Sequence, residues 1–252
     1  MRITLIFVFV VFLFTIACKK EDAGNNIKDK IVVGFETGLR VTNYDTVLVG
    51  GYYAKKAFDL DVNGDKIPDF QFTSEIWGSQ GLGQIPQSRI LCLNTNCLVN
   101  GFDSNDTTFL NYRTQTINAE DKPRIHIYNT TSYSCMRIGI SDSIVKITPN
   151  QFKLLVKSKG DYLEKSESFK SDTVTLSDEW YSSRVLFPIV NGDTAVYNYT
   201  QSHYTCNSFP QEVIQYIGIK ITAPKNNDKI GWIKLSISNN YKISILESAI
   251  QK

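Results

Sequence analysis

The segment Asp59-Leu60-Asp61-Val62-Asn63-Gly64-Asp65-Lys66-Ile67-Pro68-Asp69 holds the densest chemistry in the chain. Carboxylate and amide oxygens spaced two residues apart converge when the backbone turns tightly, and calcium takes about six to eight such oxygens. Two frames are open. A frame beginning at Asp59 places Asp61, Asn63 and Gly64 well but leaves Phe70 where a bidentate Glu should stand. A frame beginning at Asp61 supplies Asn63, Asp65, the carbonyl of Ile67 and then Asp69. The second is preferred, with Asp59 kept as an additional candidate ligand and the ion expected to be structural. The simpler reading is an Asn63-Gly64 hairpin turn with solvated carboxylates.

In its spacing this segment resembles the calcium loops of dockerin and FG-GAP-type repeats, with a departure at Lys66, where those loops usually carry glycine. A non-glycine residue forced to positive φ costs about 1–2 kcal/mol, so the departure implies an adjusted turn or a lowered affinity. Phe58 on one side and Phe70-Gln71-Phe72 on the other indicate strands, not EF-hand helices, as the elements that position it. A second chemical site lies at the start of the chain. Ile3 to Ala17 is apolar except for Thr4 and Thr15, and it ends in Thr15-Ile16-Ala17-Cys18-Lys19-Lys20-Glu21-Asp22. A charged start, a short apolar core and a small residue before the break describe a secretory signal. The run is short for a membrane span, which needs about 20 apolar residues, so an uncleaved anchor is the weaker reading. Thr15-Ile16-Ala17-Cys18 resembles the lipobox of bacterial lipoproteins, and the following Lys-Lys-Glu-Asp resembles the surface-export tag of Bacteroidota-type lipoproteins. The resemblance implies cleavage after residue 17, lipidation of Cys18, and anchoring to the outer membrane with exposure on the cell surface. Residues 18–30 then form the lipidated cysteine and a flexible tether, and 31–252 a single domain.

Four cysteines remain: Cys92, Cys97, Cys135 and Cys206. An even number in an exported protein favours disulfides. The simplest connectivity is a local Cys92–Cys97 staple with a long-range Cys135–Cys206 bridge. Free thiols are an alternative, as is a metal shared by Cys92 and Cys97, although no second closely spaced ligand pair completes such a site.

The aromatics offer a different chemistry. Trp180 and Tyr181 sit in a polar stretch after Asp178-Glu179, and Tyr197, Tyr199, His203 and Tyr204 follow in a similar setting. Flat rings beside hydrogen-bonding groups can hold a glycan or a protein surface. The competing reading is that they pin loops to the core. Catalytic signatures are weak. His126 and His203 are isolated, and Gly-x-Ser-x-Gly, His-Glu-x-x-His and phosphate-loop patterns are absent. The Gly78–Gln84 stretch lacks the lysine of a phosphate cradle and reads as a mobile loop.

Composition narrows the classes further. Lys and Arg number 27 against 25 Asp and Glu, for a net charge of +2, and loss of Arg2 with the leader brings the mature chain nearer to neutral. No basic stripe suited to nucleic acid is present. With 13 Tyr, 14 Phe and only 2 Met, the balance suits strands. Short apolar or alternating runs recur between Asn, Asp, Gly and Ser clusters, among them Thr46–Tyr53, Arg89–Leu93, Arg124–Tyr128 and Ala195–Tyr199. Only Asp161–Ser168 suggests a turn or two of helix. The last forty or so residues predict a three-stranded meander: Tyr216–Ile221, Gly231–Ile237 and Ile243–Leu246, with turns at 224–228 and 239–240. If Ile233, Leu235 and Ile237 face the core, Trp232 faces the other way. This closing segment resembles that of uncharacterised Bacteroidota-type secreted proteins and lipoproteins, a likeness that implies no activity.

The expected fold is therefore all-β: an antiparallel β-sandwich, jelly-roll-like or Ig-like, with little helix. The functional expectation is a surface lipoprotein binding an extracellular glycan or protein. A surface hydrolase acting on glycans or peptides, using acids such as Asp178 and Glu179, and a structural envelope component are the alternatives.

Overall fold

The structure, a computed structural model, describes residues 29–79, 83–117, 125–134, 143–177, 180–187, 189–190, 193–203, 209–224 and 227–252. The described residues are mostly β-strand, and no α-helix occurs among them. The strands are numbered β1 to β18 in chain order.

The C-terminal meander is the spine. Strand β16 (Gln215–Ile221) pairs antiparallel with β17 (Lys229–Ser238), and β17 with β18 (Lys242–Gln251). Their alternation drives one row of side chains, including Ile217, Ile219, Ile233, Ile243 and Ile245, to complete burial. Asn239 (φ 53°) and Asn240 (φ 60°) reverse the chain between β17 and β18 in the left-handed conformation that asparagine tolerates. Strand β2 (Leu39–Val49) adds to the free edge of β18.

A second sheet covers the isoleucine row. It comprises β3 (Lys56–Leu60), β4 (Phe70–Ser79), β5 (Gly83–Cys92) and β12 (Thr173–Ser177), in the order β12-β5-β4-β3. Leu60, Phe70, Phe72, Ile90, Val174 and Leu176 from this sheet pack into the same core as the isoleucines of the spine. The fold is thus sandwich-like, as its composition predicts.

The opposite face of the spine is also covered. Strand β1 (Lys30–Val32) pairs with β10 (Tyr162–Glu164), and this ribbon lays Ile31, Val33 and Leu163 over Trp232, Tyr216, Ile230 and Ala249. Trp232 is fully buried, with its ring edge-on to Tyr216 at 5.3 Å. The helical pattern suggested for Asp161–Ser168 is not adopted. Leu163 is buried against the spine while pairing with Ile31, and the segment ends in a turn closed from Glu167 N–H to the Glu164 carbonyl. Tertiary burial overrides a weak local preference.

Strand β6 (Cys97–Ile117) begins beside β16 and runs out of the spine. Its outer half pairs with β7 (Ile125–Ser134) and β8 (Ser143–Leu154). Strand β15 (Asp193–His203) joins β7, and β13 (Trp180–Leu186) closes that side of the sheet. The β15–β7 pairing is parallel, the one departure from antiparallel order among the paired strands. Ion pairs from Lys153 to Asp106 (2.8 Å) and from Lys170 to Asp103 (2.6 Å) tie neighbouring segments to β6.

The sandwich has two distinct ends. Asp29 belongs to the end where β17 starts: its carbonyl accepts the Lys165 N–H, and the Lys165 carbonyl accepts Lys220 Nζ, one pair away from Lys229. Leu39 and Gln251 sit at that same end. Val49, Lys242 and the Asn239-Asn240 turn mark the opposite end. Ten residues of β17 at about 3.3 Å each put roughly 30 Å between the two.

Candidate functional site

The near end carries the acidic loop. Leu60 and Phe70 are the last registered pair of β3 and β4, and the Asp69 N–H donates to the Leu60 carbonyl at 2.7 Å, so residues 61–69 project as one closed loop. Asp61 accepts from the N–H groups of Gly64 (2.5 Å) and Lys66 (2.7 Å). Asn63 Oδ1 accepts from Asp65 N–H, and Asp65 Oδ1 accepts from Ile67 N–H. Asn63 Nδ2 donates to both Asp65 and Asp69. Asp69 Oδ2 accepts from the N–H groups of Val62 (2.9 Å) and Asn63 (3.2 Å). Alternate side chains therefore line the inside of the turn, as their spacing predicts.

Two residues of the loop lie at positive φ, Gly64 at 74° and Lys66 at 71°. A Cβ on Gly64 would meet only the end of the flexible Arg40 side chain, so the positive φ is what favours glycine there. Lys66 accepts the strained conformation. The structure brings Asp61, Asn63, Asp65 and Asp69 together and leaves Asp59 out. Asp59 lies within β3, exposed, and accepts from Gln71 Nε2 across the ladder at 2.7 Å. The Ile67 side chain is exposed, while its N–H is engaged by Asp65.

Burial dominates the electrostatics of Asp69. It raises the carboxyl above the ordinary carboxylate range, against the lowering effect of the Val62, Cys97 and Asn63 donors. Cys97 sits beside it, and burial followed by the Asp69 charge pushes its thiol up to about 12. Among the described residues no three His, Cys, Asp or Glu side chains converge to hold a metal, because the loop carboxylates are turned onto backbone N–H groups.

The expected Cys92–Cys97 staple is not formed; both thiols are free. The turn between them is closed without it, by Cys97 N–H donating to the Asn94 carbonyl and Asn96 N–H to Asn94 Oδ1. The sulfurs have separate partners, Asn94 and Asp69 for Cys97, and the Lys170 carbonyl for Cys92. Cys18, Cys135, Cys206, Tyr204, Asp178 and Glu179 lie outside the described residues.

Four of the predicted aromatics lie on described strands, Trp180 and Tyr181 on β13 and Tyr197 and Tyr199 on β15. In the β13–β15 register Trp180 opposes His203, Arg184 opposes Tyr199 and Leu186 opposes Tyr197. Six positions separate the Trp180 and Tyr197 rungs, about 20 Å along the ladder.

A different aromatic group, not singled out by sequence, stands at the far end. After β2 ends at Val49, residues 51–54 form a small turn bridged Gly51 to Ala54. Tyr52 bridges Ile76 of β4, and the Tyr53 N–H donates to the Ile76 carbonyl at 3.2 Å. The Tyr53 hydroxyl donates to the Gly78 carbonyl, and Tyr53 holds a positive φ of 52°. Tyr52, Tyr53 and Trp77 are 52%, 74% and 55% exposed, and the two tyrosine rings lie 6.3 Å apart, tilted 49°. The sequence signal was the glycine pair Gly50-Gly51 interrupting an apolar run before two tyrosines.

No protein family, curated protein or solved structure matches this chain.

Proposed function

We propose that the chain is a lipid-anchored binding protein of the outer cell surface. It is tethered through Cys18 and residues 19–29, and it presents its far end to an extracellular glycan or protein. One observation carries this reading. The first described residue, Asp29, leaves from the end of the sandwich opposite to the exposed Tyr52, Tyr53 and Trp77. A tether at one end and exposed rings at the other is the arrangement that display from a membrane requires. Lipidation supplies about 0.8 kcal/mol per buried methylene, and stable attachment takes more than one chain, a condition that a diacylated or triacylated cysteine meets.

Within this reading the Asp61–Asp69 loop takes a structural calcium ion. The support is the ordering of Asp61, Asn63, Asp65 and Asp69 around one turn, with Lys66 at the positive φ that this frame demands. Asp61, Asn63, Asp65, the Ile67 carbonyl and Asp69 supply the protein oxygens, and water completes the shell.

Anchoring is tested by metabolic labelling with palmitate. Cys18→Ser abolishes incorporation if Cys18 is the lipidated residue; equal labelling of both proteins removes the assignment. Protease treatment of intact cells then removes the wild-type protein, whereas full protection places it on the inner side of the membrane.

A further inference from the structure

Lys55 and Lys56 follow the tyrosine turn directly, and both are exposed. Neither takes part in an ion pair among the described residues, in contrast to Lys153, Lys157, Lys170, Lys220 and Lys234. The nearest acid on β4, Glu75, is buried and faces Arg89 at 3.9 Å. At the same end Lys242 and Glu212 oppose one another in sign. The rings are thus accompanied by uncompensated positive charge.

From this we infer that residues 51–56 together with Trp77 dock an acidic glycan, a polysaccharide bearing carboxylate or sulfate groups. The inference rests on the far end being the displayed end, and it names the class of ligand and the residues. Ring faces stack against the apolar faces of sugar rings while hydrogen-bonding groups at the rim take hydroxyls. The lysines supply point charges for the anionic substituents. The charge on the turn selects an anionic chain over a neutral one. Protein hot spots occupy desolvated pockets surrounded by apolar contacts, whereas these three rings are each more than half exposed. Their positions are fixed before binding. Tyr53 is held at N–H and hydroxyl by β4, and Tyr52 is bridged to Ile76, so little freedom is lost when a chain docks.

The test uses the full-length protein purified in detergent, titrated with polygalacturonate, dextran sulfate, uncharged dextran and anionic phospholipid vesicles. The expected result is binding to one of the charged polysaccharides and none to dextran, weakening at least about tenfold as salt rises and screens the charges. Trp77→Ala and Tyr52→Ala each weaken that binding by at least about fivefold. Lys55→Gln combined with Lys56→Gln weakens it and flattens the salt dependence. Unchanged melting of each variant certifies that it is folded. Equal binding to dextran, binding untouched by the ring variants, binding to vesicles alone, or binding to none of the probes overturns the inference. Equal palmitate labelling of the wild type and Cys18→Ser, with polysaccharide binding intact, would instead overturn the anchoring reading alone.

Discussion

The two ends of the sandwich solve opposite problems. At the near end polar atoms are buried and every loop carboxylate is engaged: Asp69 is almost completely buried, yet it takes N–H groups from Val62 and Asn63. At the far end apolar rings are left in water, with Trp77, Tyr52 and Tyr53 all more than half exposed. Burying a carboxylate costs several kcal/mol unless donors replace water, so the near end is arranged to avoid a penalty. Exposing three rings forgoes the burial of about 25 cal/mol per Å² of apolar surface. Where polar groups are buried and satisfied, a substitution should be felt in stability. Where apolar groups are exposed and fixed, it should be felt in binding.

The largest expected effect is at the near end. Asp69→Ala, measured in chelator by urea unfolding, leaves the Val62 and Asn63 N–H groups without their acceptor, each costing about 1–3 kcal/mol. The expected loss is about 3 kcal/mol at unchanged denaturant slope; a loss below about 1 kcal/mol would make the two ends alike. Calcium comes next. An ion that binds only the folded state adds about 2.7 kcal/mol at a hundredfold excess over its dissociation constant. Calcium should therefore raise the melting temperature over that in EDTA, and Asp65→Ala should erase the difference. Identical wild-type curves would leave only the plain turn.

A pH series sharpens the same contrast by a smaller margin. Burial raises the Asp69 pKa above 3.8 in the folded chain. In chelator its protonated form is therefore favoured by folding. The associated stability is lost as pH rises through the folded pKa and is fully present below the unfolded one. Relative to Asp69→Asn, the wild type should gain stability as pH falls from neutral through that window; a gap that widens against the wild type would reverse the sign of the burial effect. The smallest effects belong to the far end. Trp77→Ala and Tyr52→Ala should each change stability by no more than about 0.5 kcal/mol, as exposed substitutions do. A loss above about 1.5 kcal/mol in urea unfolding would make the rings structural.

Legibility in the sequence followed the same division between alternating and unpatterned segments. The meander β16–β18 was readable because Ile217, Ile219, Ile233, Ile243 and Ile245 alternate with other residues over a buried face. That Trp232 faces away from them was also readable, but the ribbon of β1 and β10 that covers it pairs residues far apart in sequence. Strand β6 escaped detection because Asp103-Ser104-Asn105-Asp106-Thr107-Thr108 has no apolar side to alternate. Its pairing with β7 and β8 supplies what the pattern lacks. The parallel register of β15 on β7 is a long-range choice with no local signature.

The acidic loop was legible in spacing and in the Lys66 conformation, while the exclusion of Asp59 depended on its place opposite Gln71 in the ladder. The Cys92–Cys97 staple failed as an expectation because Asn94 closes the turn by hydrogen bonds, which cysteine spacing does not reveal. The apolar run Thr46–Tyr53 carries a strand pattern through Tyr52 and Tyr53, whereas β2 ends at Val49.

The division of labour between the ends can be measured on one sample. Full-length protein in detergent is melted with calcium and with EDTA, and its affinity for the acidic polysaccharide it binds is determined in both at a temperature well below either transition. A melting temperature that falls in EDTA and an affinity that stays within about twofold are expected, since Lys56 lies four residues along β3 and Trp77 seven residues along β4 from the loop, about 13 and 23 Å. An affinity that collapses in EDTA while the melting temperature holds would contradict this division of labour, by placing the ion in the binding site and not in the scaffold.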